Sequence, residues 1–222
     1  MRINITVAAA AAILVSFGCS SDSSDEDMNA FMPTFAEHGC DDLPIPEPLT
    51  AADFRCGTLT TLLDRDDPSG QTVDIEAAVL LAQSDTPEPD PVLFFGGGPG
   101  VYNLDSYLPA QAAEVWAPVR ESRDVVFFDP RGSGRSRPQL ACPEFEDTLA
   151  AAYSRNQSGA EDGLNGWLEG YRQCYERLTS EGIETSHHHS AAIARDAAEL
   201  MEALGYERYN IYGISYGGAS FR

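Results

Sequence analysis

Tyr209-Asn210-Ile211-Tyr212-Gly213-Ile214-Ser215-Tyr216-Gly217-Gly218 decides the reading of this chain. A short strand-like run, Arg208 to Tyr212, feeds Gly213-Ile214-Ser215-Tyr216-Gly217, the G-x-S-x-G pattern of a nucleophile elbow. A turn that swings from strand to helix while holding a serine oxygen clear of the sheet is very tight. Positions 213 and 217 therefore need residues whose side chains cannot clash. In that geometry the N–H of Tyr216, next after the serine, faces a developing oxyanion.

The rest of the chain is read outward from there. Ser190 reads as a helix N-cap; Ile193, Ala197, Leu200, Met201 and Leu204 share one face of the following helix, and Gly205 is its stop. Val92-Leu93-Phe94-Phe95 and Asp124-Val125-Val126-Phe127-Phe128 are short, continuously apolar runs, as expected of strands covered on both faces. A helix is expected within Leu104 to Val119, and helical pieces over 143–180 with a break around Asn156 to Gly166. Thr58 to Leu63 and Thr72 to Ala82 are strand candidates around the turn Asp66-Asp67-Pro68-Ser69-Gly70. In the second, Val73, Ile75, Ala77 and Val79 alternate with Asp74, Glu76 and Ala78, the pattern of a half-buried antiparallel strand. Prolines 33, 44, 46 and 48 mark an extended lead-in over 31–55. Two antiparallel strands followed by alternating strands and helices argue for an α/β fold with a mixed sheet and flanking helices.

The 222 residues carry 35 acidic and 14 basic side chains, a net charge of −21. That balance speaks against nucleic acid, whose phosphates need Lys and Arg. It fits a solvated surface, or an acidic patch that draws a cationic substrate such as a peptide N-terminus. At the N-terminus, Arg2 precedes an apolar run from Ile3 to Phe17 that is too short for a comfortable membrane span. Residues 1–19 read as a signal peptide. Gly18-Cys19 followed by a Ser/Asp tract resembles a lipoprotein signal with Cys19 as the lipidated residue, which would make a lipid anchor the only membrane contact; plain secretion is the alternative. Residues 20–35 read as a disordered linker, and 36–222 as the domain. Export permits disulfides. Cys40, Cys56, Cys142 and Cys174 allow three pairings. Cys40–Cys56 and Cys142–Cys174 are favoured because both are local and lie outside the expected sheet core. No C-x-x-C spacing supports a metal site, and none is expected.

Gly96-Gly97-Gly98-Pro99-Gly100 follows the first apolar strand. A pyrophosphate-binding fingerprint fails there, since Val101 or Asn103 stands where the third glycine belongs, and no Gly-Lys-Ser/Thr follows. No cofactor is expected. The loop reads instead as a wall of an oxyanion hole, with the N–H of Gly98 approaching a reacting carbonyl. Asp129-Pro130-Arg131-Gly132-Ser133-Gly134-Arg135-Ser136 reads as a structural turn held by an Asp129–Arg131 hydrogen-bond network that braces the site. His187-His188-His189 cannot all face one point, and they read as loop before a helix.

Together, Gly97-Gly98-Pro99-Gly100, Asp129-x-Arg131-Gly132-x-Gly134-x-Ser136 and Gly213-x-Ser215-Tyr216-Gly217-Gly218 resemble the prolyl and tripeptidyl aminopeptidase branch of the α/β-hydrolases. The Cys56-Gly57-Thr58-Leu59 entry and the Cys142/Cys174 pair resemble its exported members, in the cell envelope or secreted. The resemblance implies an α/β-hydrolase fold cut just after the elbow. It implies Ser215 as nucleophile, Gly98 and Tyr216 as oxyanion donors, and Gly97, Gly100, Asp129, Arg131, Gly213 and Gly217 as support. The substrate would be a peptide, or a small ester or amide, attacked after an N-terminal residue or short N-terminal segment. The family's cap, catalytic Asp and His come after the elbow and so lie beyond this sequence. An esterase or lipase of the same fold, and a non-catalytic tethered domain, are the alternatives. Two expectations follow: the 222 residues alone lack the base that activates the serine and are inactive, and the elbow strand presents an open, association-prone edge.

Overall fold

The computed structural model describes residues 31–154 and 160–220. Expectations about a signal peptide, Cys19 and the first part of the linker lie outside the described residues. Six strands form one mixed sheet: β1 (Thr34–His38), β2 (Phe54–Leu62), β3 (Thr72–Leu80), β4 (Val92–Phe95), β5 (Val125–Phe128) and β6 (Asn210–Gly213). Their order is β1-β2-β3-β5-β4-β6. The first three and β5 pair antiparallel, while β5, β4 and β6 run parallel. The extended lead-in thus holds a strand of its own, β1, which begins at Thr34, two residues before the expected domain boundary.

The apolar runs do what their composition demands. Phe94 and Phe127 point to one face of the sheet, Phe95 and Phe128 to the other, and all four are buried. On one face α5 (Ser190–Ala203) presses Ile193, Ala197, Leu200 and Met201 against Leu93, Phe95, Val126 and Phe128. On the other, Leu104, Leu108, Ala112 and Trp116 cover Phe94 and Phe127. Alternation in β3 holds only for its first half. Ala78 and Leu80 are buried as well, because the strand there lies between β2 and β5 with apolar side chains on both faces.

The helix expected within 104–119 is instead a π-turn, Asn103–Tyr107, followed by α1 (Leu108–Gln111) and α2 (Ala117–Arg120). Downstream, α3 (Pro143–Ser154) and α4 (Ala160–Ser180) pack against one another, and α4 begins well before Gly166. The disulfide Cys142–Cys174 ties the foot of this hairpin, and Cys40–Cys56 ties β2 to the residues after β1, as expected. Among the described residues, no helix is long and apolar enough to cross a membrane. β6 is the last strand of the described sheet, and its Ile211 and Tyr212 are 47% and 52% exposed.

Candidate active site

The parallel strands β4, β5 and β6 end together, and the loops after them build one site. After β6 the chain turns through Ser215 into α6 (Tyr216–Ala219). Ser215 sits at φ +54°, ψ −116°, among the described residues the only non-glycine with positive φ. Such backbone costs about 1–3 kcal/mol and persists only where its surroundings hold it. Ile214 N–H donates to Phe95 O at 3.0 Å, and Gly217 N–H closes the turn on Ile214 O at 2.9 Å. A Cβ on Gly217 would come within 2.2 Å of Phe95 O, so only glycine lets the elbow lie on the end of β4. Gly213 abuts the backbone of Gly218 across the same turn. Ser215 is exposed, and its hydroxyl has no hydrogen-bond partner among the described residues.

The glycine loop after β4 faces this serine. A Cβ on Gly97 would come 2.8 Å from Ser215 Cβ. Gly98 and Gly100 both take positive φ, +84° and +81°. The π-turn fixes which N–H groups of the loop are free. Gly96 N–H donates to Asn103 Oδ1 at 3.1 Å, and Gly97 N–H to the Tyr107 hydroxyl at 3.2 Å. Asn103 is buried and donates its own amide to Phe128 O at 2.7 Å. The N–H groups of Gly98 and Tyr216 have no acceptor among the described residues. They are thus two unspent donors, one on each loop beside Ser215.

Asp129 and Arg131 do not hold one another, contrary to expectation. Asp129 is fully buried at the end of β5. Its carboxylate accepts Leu104 N–H at 3.0 Å and Arg135 N–H at 2.7 Å, so it pins the π-turn to the loop after β5. Burial without a cationic partner pushes its pKa up to about 6. Arg131 turns the other way, into the body. Its guanidinium meets Asp196 of α5 through two bonds, at 2.7 and 2.6 Å, and the carbonyls of Leu62, Leu63 and His187. The two residues brace the site from separate anchor points because the turn between them directs their side chains to opposite sides.

The three histidines diverge. His187 lies 3.7 Å from Asp64. His189, not Ser190, caps α5: its Nδ1 accepts Ala192 N–H at 3.2 Å. That frees the Ser190 hydroxyl to meet the Tyr216 hydroxyl at 2.8 Å, which links α5 to the elbow. His188 is half-buried, its two ring nitrogens shut from solvent without a partner among the described residues. Burial, aided by the Arg131 charge, pushes its pKa down to about 4, so it is neutral near pH 7. Sequence reasoning missed Asn103, Tyr107, Asp196 and Ser190 as parts of the site; none belongs to a recurrent short motif. Among the described residues no group of His, Cys, Asp and Glu is arranged to hold a metal.

A family model of the alpha/beta hydrolase fold matches residues 90–220, the stretch that holds this serine and both loops. The chain belongs to the alpha/beta hydrolase fold family. Among curated proteins it is similar to a tripeptidyl aminopeptidase of Streptomyces lividans, 28% identical over 184 residues, which are 79% of this chain and 32% of the relative. Serine protease Hip1 of Mycobacterium tuberculosis is 26% identical over 167 residues, 73% of this chain and 31% of the relative. Carboxylesterase B of the same species is 30% identical over 155 residues, 67% and 29% respectively. The chain spans about a third of the length of these curated relatives. All three are names of hydrolases.

Proposed function

We propose that the protein is a serine hydrolase in which Ser215 is the nucleophile, and that it acts as a peptidase removing N-terminal residues or short N-terminal peptides. One observation carries the reading: Ser215 is held exposed on a strained turn between two unspent N–H donors, Gly98 and Tyr216. In this mechanism Ser215 Oγ attacks the carbonyl carbon, and its proton passes to a histidine that lies beyond this sequence and is oriented by an acid there. The N–H groups of Gly98 and Tyr216 take the oxyanion, and collapse expels the amine of the shortened peptide. Tyr107 and Asn103 position the loop by occupying the neighbouring N–H groups. The peptidase reading draws on the names tripeptidyl aminopeptidase and serine protease. Esterase action on the same serine is the second reading, favoured by the relative named carboxylesterase. Export, with Cys19 as a lipid attachment point, is part of the proposal and agrees with the two disulfides.

The test uses the protein that carries this chain, incubated with a fluorophosphonate probe and assayed on tripeptidyl and aminoacyl naphthylamides beside acyl nitrophenyl esters. Wild type should be labelled at Ser215 and should turn over at least one amide series; Ser215→Ala should lose both labelling and turnover. Turnover that survives Ser215→Ala rules out this nucleophile. Ester cleavage without amide cleavage moves the assignment to the esterase reading.

A further inference from the structure

Beside the elbow lies a cleft of about 210 Å³, walled by the 99–102 segment, the loop after β5 and the start of α5. Pro99 and Tyr102 form one side, Leu140 and the 132–134 turn another, and Ile193, His188 and Tyr216 close it. We propose that this cleft binds the uncharged, mainly apolar side chain of the substrate residue whose carbonyl Ser215 attacks. The proposal rests on the reading of Ser215 as the nucleophile.

Position is the first argument. Pro99, which lines the cleft, directly follows Gly98, and Tyr216, which carries the other free N–H, lines it too, so both proposed oxyanion donors belong to residues in or next to its wall. A carbonyl held between them leaves its substituent at the cleft's mouth. Charge is the second. The chain has 35 acidic residues, yet among the described residues none lines this cleft. Its one guanidinium, Arg131, is spent on Asp196 and three carbonyls. His188 is held neutral by its surroundings. The Ser133 hydroxyl donates to Pro130 O at 2.9 Å, the Gln139 amide donates to Gly134 O, and the Tyr216 hydroxyl meets that of Ser190. A Lys or Asp side chain entering here finds no free counter-charge, and burying an unpaired charge is costly. An aliphatic or aromatic side chain loses nothing and removes apolar surface from water.

The test compares kcat/KM of the protein carrying this chain on peptide amides that differ only in the residue supplying the attacked carbonyl. Leu and Phe should exceed Lys and Asp by about 100-fold or more, as a pocket that leaves a buried charge unpaired should discriminate. Leu140 is half-buried and Tyr102 is 46% exposed, so both tolerate a polar replacement. Leu140→Glu, and separately Tyr102→Glu at the rim, should each shift the Lys-to-Leu ratio toward Lys by at least about tenfold, mainly through KM. A wild-type preference for Lys or Asp overturns the proposal. So do ratios unchanged in both variants while Ser215→Ala abolishes turnover, an outcome that leaves the nucleophile standing. Turnover that persists in Ser215→Ala removes the nucleophile and the pocket together.

Discussion

Replacing Asp196 by Ala should cost the protein about 3 kcal/mol of stability. Its side chain is wholly buried between two arginines. Arg131 gives it two charge-assisted bonds, at 2.7 and 2.6 Å, and Arg65 a third at 2.7 Å. Such bonds contribute roughly 1.5–3 kcal/mol each, so a simple sum would give about 5–9 kcal/mol. That sum overcounts, because neither guanidinium would be orphaned. Arg131 keeps the carbonyls of Leu62, Leu63 and His187, and Arg65 keeps Glu199. The loss therefore falls at the lower end of the roughly 3–5 kcal/mol seen when a buried pair is broken from one side. Urea unfolding is the assay. The midpoint should fall by about 1–3 M with an unchanged slope, and Asp196→Asn, which keeps the volume and one acceptor, should lie between. A loss under about 1 kcal/mol for Asp196→Ala would refute the reasoning.

Three further outcomes are expected. Tyr107→Phe removes only the hydroxyl that occupies Gly97 N–H; kcat should drop about 10- to 100-fold with KM nearly constant, and an unchanged kcat in steady-state assays would deny Tyr107 its positioning role. Gly217→Ala drives a methyl into Phe95 O, 2.2 Å from the ideal position, so the elbow cannot close; fluorophosphonate labelling should vanish and thermal melts should show a loss of more than about 2 kcal/mol. The third concerns pH. His188, pushed down from 6.5 to about 4, contributes stability that is complete above pH 6.5 and lost as pH falls through 4. Relative to wild type, His188→Gln should therefore gain about 2 kcal/mol between pH 7 and pH 4, after allowance for partial exposure. Asp129, pushed up from 3.8 to about 6, behaves oppositely: its contribution is complete below pH 4 and lost as pH rises through 6. Wild type should thus be flatter across this interval than His188→Gln, and urea melts at several pH values that show the reverse ordering would count against both assignments.

What was legible in the sequence was whatever a local pattern can carry. Val92–Phe95 and Val125–Phe128 read as strands because four consecutive apolar residues need cover on both faces. The face of α5 followed from its spacing. The elbow followed from glycines that a tight turn demands. The failures share another cause. Ser190 reads as the cap of α5, but it is already the first residue of the helix; the extended residue before it, His189, accepts the Ala192 N–H, and the Ser190 hydroxyl meets that of Tyr216. The helix expected within Leu104 to Val119 is divided into short pieces, and the first of them is held by Asn103 and Asp129, which lie outside that run. Asp129 and Arg131 are neighbours in sequence, but their partners lie apart, on the π-turn and on α5.

The glycine loop shows most clearly where local reading stops. Its glycines were read as room for a substrate carbonyl. Gly96 makes room for something else: a Cβ there would meet the Tyr107 ring at 2.3 Å and Asn103 Oδ1 at 2.4 Å. With that space open, Tyr107 reaches Gly97 N–H and Asn103 reaches Gly96 N–H. Two of three successive donors are thereby withdrawn, and the third, on Gly98, has no acceptor among the described residues and is the one the proposed mechanism uses. Availability of the proposed oxyanion donor is thus a subtraction made by side chains seven and ten positions downstream. No pattern within Gly96 to Gly100 encodes it. The same logic extends to the cleft beside Ser215, where an uncharged wall arises because Asp196, on α5, removes the one guanidinium that could have faced a substrate. Chemistry at this elbow is set as much by which groups the fold has already satisfied as by which groups it places there.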